Sequence, residues 1–219
     1  SVGGPERAGS VGEKGEKPNR WAIGPVGSSP VSRPRRRWSG LEATLVYMRP
    51  GPNTAHARLG VFTYAEAVDE GWSDKTLRYA VSRAWLARLR PGIFAVPLEG
   101  TTNRHTAKRQ ELAIAAIAAV LANPSAATSH TAAAVLHCLP VWYLPSLPCI
   151  TVPPKFVGDV EGAHLHRARM PGDHLVAAKV ATTAVGRTVI DIGREHGTLS
   201  ALVVADAALH AGLVSLDVL

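Results

Sequence analysis

The side chains of this 219-residue sequence that could do chemistry fall into two groups. One is a run of cations, Lys75, Arg78, Arg83, Arg88 and Arg90, with Tyr79 and Ser82 interleaved. Lys and Arg neutralise phosphates, and Arg, Tyr and Ser side chains can reach base edges, so this mixture points to double-stranded DNA. The same residue types also suit a solvated helix face, and charge by itself does not separate the two readings. The other group comprises His130, His137, Cys138, Cys149, His164 and His166. Their spacing contains no C-x-x-C, no H-E-x-x-H and no compact acidic set. His137 and Cys138, adjacent on a helix, cannot both face one site. The sequence therefore assigns no metal and no cofactor, and leaves these side chains to packing or to the surface. Ser129, His130 and Asp191 supply the residue types of a nucleophilic triad. Ser129, however, precedes a helical stretch, where Ser caps more often than it attacks. No G-x-S-x-G elbow or phosphate-cradling glycine loop occurs, and Gly158 and Gly162 enclose acidic residues. No catalytic residue is assigned, and the expectation is a protein that is not an enzyme.

The elements that must position the cations are legible between Thr54 and Val96. A helix is expected near Pro52–Arg58, followed by a short apolar extended piece at Val61 and Phe62. Thr63 opens a helix with Glu66 three residues later, the capping-box spacing, and Gly71 suits its left-handed stop. Ser73 caps a second helix, on which Leu77, Ala80, Val81 and Ala84 form a buried stripe. Lys75, Arg78, Tyr79 and Ser82 then fall on the opposite face, with Arg83 at its margin. Alternation on both sides of Pro91-Gly92 reads as a hairpin that aims Arg88 and Arg90 to one face. Trp72 and Trp85 are assigned to packing. Helix, strand, helix, tight turn, helix and hairpin are the order of a winged helix-turn-helix. Its second motif helix is the element that fits a major groove.

Farther on, helices are expected over 105–122, from Ser129 to His137, over Thr182–Arg194 and over Thr198–His210. The last is expected to carry Leu199, Leu202, Val203 and Leu209 inward. Cys149–Val152 and Ala163–Ala168 read as strands, and Ser215 as an N-cap starting another helix. The four residues that remain after it are expected to form either a docked terminal turn or the start of a segment that continues in a longer relative. The fold class is α+β: an N-terminal winged helix-turn-helix followed by a small mixed α/β domain. The domains are a basic tail (1–47), the winged helix (48–100) and an α+β domain (101–219). The tail is read as flexible. It carries the Arg33-Pro-Arg-Arg-Arg37 cluster, and Met48 is a conceivable internal start.

The formal net charge is +7, of which +4 lies in residues 1–47, +2 in 48–100 and +1 in 101–219. A basic excess confined to one end is the electrostatic footprint of a polyanion binder. Two cysteines exclude a disulfide framework. No apolar run approaches the roughly 18 residues that cross a bilayer, and Ser1–Arg20 has no secretory apolar core. The expected location is cytoplasmic, with no membrane partner.

The segment Gly60-VFTYAEAVDEGWSDKTLRYAVSRAWLARLRPGIFAV resembles the winged-helix domain of AbiEi-type antitoxins, abundant in actinobacteria, whose hairpin closes as Arg90-Pro-Gly-Ile-Phe94 does here. The stretches Ser129-HTAAAVLHCLP, His164-x-His-Arg-Ala and Thr182-TAVGRTVID resemble the domain that follows it. The resemblance implies a transcriptional autoregulator of a toxin–antitoxin operon. It further implies operator DNA as one partner and a nucleotidyltransferase-like toxin as a functional partner. Many longer relatives continue into a Vsr-like endonuclease domain, which this sequence is expected to lack. The alternative is a protein-interaction module, or a truncated relative of such an endonuclease protein, with an exposed apolar face near residues 199–219.

Overall fold

The computed structural model describes residues 51–98, 103–170, 175–177 and 179–218, and the expected basic tail and Met48 lie outside them. Among the described residues the architecture is mixed α and β, with two sheets and helices packed on both. Among the described residues no helix is long and apolar enough to cross a membrane.

The chain enters through the short helix α1 (Asn53–His56) and strand β1 (Val61–Thr63). Between them Gly60 sits at φ +85°, with a hypothetical Cβ 3.0 Å from the Val96 carbonyl oxygen, so both backbone and space demand glycine. Helix α2 (Tyr64–Asp69) opens with the expected capping box. Thr63 Oγ1 accepts from the Glu66 amide, and the Glu66 carboxylate accepts from the Thr63 amide at 2.8 Å. Gly71, at φ +87°, ends this segment. Ser73 Oγ then accepts from the Thr76 amide and caps α3 (Asp74–Ser82).

Strands β2 (Ala87–Arg90) and β3 (Ile93–Ala95) close a three-stranded sheet of order β1-β3-β2. Gly92, at φ +71°, follows Pro91 in the turn, the positive-φ second position that a Pro-Gly turn requires. The buried stripe of α3 is narrower than expected. Leu77 and Ala80 are buried and Val81 is half-buried, but Ala84 is exposed in a left-handed conformation just after the helix. Leu77 and Ala80 pack with Ala55, Phe62, Ala67, Leu86 and Phe94, and Trp72 and Trp85 lie against this cluster as expected.

Asn103 opens the long helix α4 (Arg104–Ala122) by accepting from the His105 and Thr106 amides. A second sheet runs β6-β5-β4-β8-β7, from β4 (Ala127–Thr128), β5 (Cys149–Val152), β6 (His164–Arg167), β7 (Leu175–Ala177) and β8 (Val180–Thr182). Helices α5 (His130–Leu136), α6 (Val185–His196) and α7 (Thr198–His210) complete it, and a 3-10 turn (Leu216–Val218) follows Ser215. One apolar cluster runs from Val61, Ile93 and Ala95 through Ile117 and Ala118 to Ile150 and Val152. The first sheet, α4 and the second sheet thus share buried surface.

Two further expectations change here. Thr182 belongs to β8, not to a helix, because β4 and β8 pair in parallel at Thr128 and Thr182. Helix α7 turns Val204 and Ala208 inward and leaves Leu199 and Leu202 well over half exposed. That helix is apolar around most of its circumference, so periodicity did not define one inward face.

Candidate functional site

Helix α3 is held from below by Leu77 and Ala80, which leaves its other face to solvent. Lys75, Arg78, Ser82 and Arg83 are exposed there, and Tyr79 is half-buried among them. The Tyr79 ring is fixed on two sides, edge-on to Trp85 with centroids 5.6 Å apart and beneath the Arg83 guanidinium at 5.2 Å. Ser82 Oγ donates to the Tyr79 carbonyl at 2.8 Å, so its hydroxyl is engaged within the helix. Arg78 pairs with Asp74 one turn earlier, both well exposed. Surface pairs of this spacing are worth about 0.3–0.5 kcal/mol, so a phosphate or a guanine edge can displace the carboxylate.

The hairpin separates the two arginines that simple alternation aims to one face. Arg88 pairs with Phe94, but Arg90 pairs with Ile93, so one extra residue, Leu89, is accommodated between them. Paired residues in an antiparallel ladder share a face, and the bulge therefore reverses the side on which Arg90 projects. Arg88 shares the Phe94 side, toward the α3 cluster, and is exposed. Arg90 is half-buried on the Ile93 side; burial depresses its pKa and the Glu161 carboxylate opposes that shift.

Beneath this surface, Arg58 is buried and ion-paired to Glu66, the capping-box carboxylate. Burial pushes the Glu66 carboxyl up, but hydrogen bonds from Thr63 and Arg58 outweigh it and leave its pKa below the ordinary value. Glu70 accepts from the Asn53 amide at 2.8 Å and ties α1 to the end of α2. These two carboxylates lock the scaffold that presents α3. Sequence spacing marks Glu66 only as a cap; its pairing with Arg58 emerges from the fold.

The histidines and cysteines split in two. In the parallel pair β5–β6, Cys149 stands opposite His164 and Thr151 opposite His166. The Ser129 amide donates to the Cys149 carbonyl at 3.1 Å and brings the start of α5 over that edge. As a result His130, Cys149 and His166 converge, and Glu195 from the last turn of α6 joins them. The Glu195 Oε2 atom lies 3.5 Å from His130 Nε2, 3.5 Å from His166 Nε2 and 3.9 Å from Cys149 Sγ. The His130 and His166 rings stack at 3.9 Å, and His164 flanks His166 at 4.8 Å. Burial, together with the neighbouring His166, drives the His130 pKa down to about 4; burial likewise lowers His166. Burial and the adjacent Glu195 push the Cys149 thiol up to about 12.

His137 and Cys138 are not part of this cluster. His137 Nε2 lies 2.8 Å from the Thr183 carbonyl, and Cys138 is exposed. Ser129 does not cap α5 with its side chain; its hydroxyl lies 2.9 Å from His130 Nδ1 and is completely buried. Asp191 pairs with Arg187 at 2.6 Å and with Arg194 at 3.9 Å. His130 therefore lies between Ser129 and Glu195, and the Ser129–His130–Asp191 relay does not assemble.

With this geometry in place, the comparison with known families bears on the first of the two surfaces. Residues 53–97 match the model of the AbiEi antitoxin transcriptional regulator family. The match spans α1 through β3 and so includes the whole cationic face of α3 and the hairpin. No curated protein matches the chain.

Proposed function

We propose that this protein is a DNA-binding transcriptional regulator of the AbiEi antitoxin type, an autorepressor of a toxin–antitoxin operon. In this reading α1 to β3 form a winged helix-turn-helix within residues 48–100, with α3 as the groove-entering helix and the β2–β3 hairpin as the wing. The observation that carries the reading is the solvent-facing row Lys75, Arg78 and Ser82 on α3, with Arg83 at its C-terminal cap, within the segment that matches the regulator family.

Arg78 and Tyr79 read base edges, and Lys75, Arg83 and Arg88 hold phosphates. Arg90 contributes least, because the bulge turns it toward Glu161. Ser82 contributes backbone order near Tyr79 and a weak polar contact. The domain from residue 101 onward supports action against a nucleotidyltransferase-like toxin. The protein works without enzymatic chemistry in the cytoplasm.

The test is a gel-shift series on the operon's own upstream DNA against an unrelated duplex of equal length. Arg78→Ala is expected to reduce the preference for the upstream DNA by about 1–3 kcal/mol. Equal binding of both duplexes by the unaltered protein overturns the proposal.

A second reading, a protein-interaction module, is favoured by one observation. Leu199, Leu202, Leu213 and Leu216 are all exposed along and just after α7. Scattered surface leucines are ordinary, but four close in sequence suit a covered face. Under that reading the chain shows no salt-dependent affinity for any duplex.

A further inference from the structure

We propose that His130 Nε2, Cys149 Sγ, His166 Nε2 and a Glu195 carboxylate oxygen form a binding site for one zinc-class divalent ion, clasping the end of α6 to the β5–β6 edge. The four donor atoms come from four separate elements and all lie within 4.8 Å of one another. In a tetrahedral zinc site, bonds of about 2.0–2.3 Å place neighbouring donors about 3.3–3.7 Å apart. The three separations from Glu195 Oε2, at 3.5, 3.5 and 3.9 Å, are near that edge length already. The widest separation closes by about 1 Å through small ring and carboxylate rotations.

Two features beyond proximity point to a ligand. His166 Nε2 is buried without a hydrogen-bond partner, a cost that coordination removes. His130 has its Nδ1 engaged by Ser129 Oγ at 2.9 Å, which fixes the ring and leaves Nε2 directed at the cluster. This is the outer hydrogen bond that metal-ligating histidines characteristically make. His130 also holds a left-handed backbone, at φ +51°, a conformation that local propensity does not favour and that marks this position as set by its surroundings.

The donor set selects the ion. Two imidazoles, one sulfur and one carboxylate suit a borderline transition ion and not magnesium or calcium, which take oxygen ligands. Four protein donors fill a tetrahedron, so the site is of the structural kind. Burial favours the neutral, electron-donating form of both imidazoles. The Cys149 thiol is protonated in the free protein, and its proton leaves to solvent as the metal–sulfur bond forms.

The experiment uses the full chain, stripped with a chelator and titrated with Co²⁺ as a visible zinc surrogate, then with Zn²⁺. The expected result is one ion per chain, tetrahedral d–d absorption and a thiolate-to-cobalt band in the near ultraviolet. Cys149→Ser abolishes the thiolate band, whereas Cys138→Ser, at the exposed cysteine, retains it. Ser129→Ala leaves the four ligands in place and weakens affinity about 10–100-fold. Zinc raises the melting temperature of the unaltered chain, with circular dichroism reporting that each variant is folded. The proposal is overturned if the unaltered protein binds no Co²⁺ stoichiometrically, or if the thiolate band survives in Cys149→Ser. DNA binding plays no part in these readouts, so either result stands apart from the regulator reading.

Discussion

Replacing Glu66 with Ala removes one side chain that serves two purposes. It takes away the charge partner of the buried Arg58 and the acceptor for the Thr63 amide, which is the carboxylate half of the α2 capping box. Arg58 is only 5% exposed, so its guanidinium is left desolvated without a counter-charge. Breaking such a pair from one side costs about 3–5 kcal/mol, and loss of a cap about 1 kcal/mol. Glu66 itself retains 29% of its side-chain exposure and water can enter after truncation, which places the expected loss near the lower bound, about 3 kcal/mol. Against a domain stability of about 5–15 kcal/mol that is a large fraction, readable as a lower urea midpoint with unchanged slope. The sign with pH follows from the same contacts. Glu66 titrates lower in the folded than in the unfolded chain, so its contribution is present above the unfolded carboxylate pKa and disappears as pH falls through the folded one. In the Glu66→Ala variant the acid limb of the stability curve is correspondingly flatter. A loss under about 1 kcal/mol, with an unchanged acid limb, would refute the claim that this pair anchors the scaffold of α3.

Other substitutions separate the remaining claims. Arg88→Ala is expected to weaken DNA binding and lower the salt slope by about 1, whereas Arg90→Ala leaves both nearly unchanged; equal effects in fluorescence anisotropy would contradict the reversed faces of the bulged hairpin. Gly60→Ala meets the Val96 backbone and a left-handed φ at once, and is expected to cost more than about 1 kcal/mol by urea denaturation. Leu202→Lys, on the exposed side of α7, is expected to change the stability of the isolated chain by less than about 0.5 kcal/mol; a larger loss would mean that the side chain is buried in solution.

The parts of the fold that were legible in the sequence are those encoded within a few residues. Thr63 and Glu66, Ser73, Gly71 and Pro91-Gly92 each state a local backbone requirement, and the structure places a cap, a stop or a turn at every one. The same holds for Trp72 and Trp85 against the α3 cluster. Features set by pairing were not legible. The accommodation of Leu89 depends on where β3 engages β2, and alternation along one strand carries no record of it. The inward face of α7 depends on which side meets Val185, Val189 and Ile192 of α6, because Leu199, Leu202, Val203, Val204 and Leu209 surround the helix. Glu195 is the clearest omission. It lies 29 positions beyond His166 and 65 beyond His130, and only the folding of α6 over the β5–β6 edge brings it to them. The sole local hint was a Glu-His pair closing an amphipathic helix. Arg58 is hidden for a related reason, since its partner lies beyond strand β1 and nothing in its immediate neighbours marks it as buried.

The central claim is that the outer face of α3, with Arg88 beside it, lies along a DNA duplex. It is tested most directly by the salt dependence of affinity for the upstream DNA, compared between the unaltered chain and the Lys75→Ala/Arg83→Ala/Arg88→Ala variant. Three phosphate contacts per bound copy predict a slope of log affinity against log salt of about −3, flattening toward zero in the variant. An unaltered protein whose affinity does not depend on salt, or a variant that keeps the full slope, would contradict it.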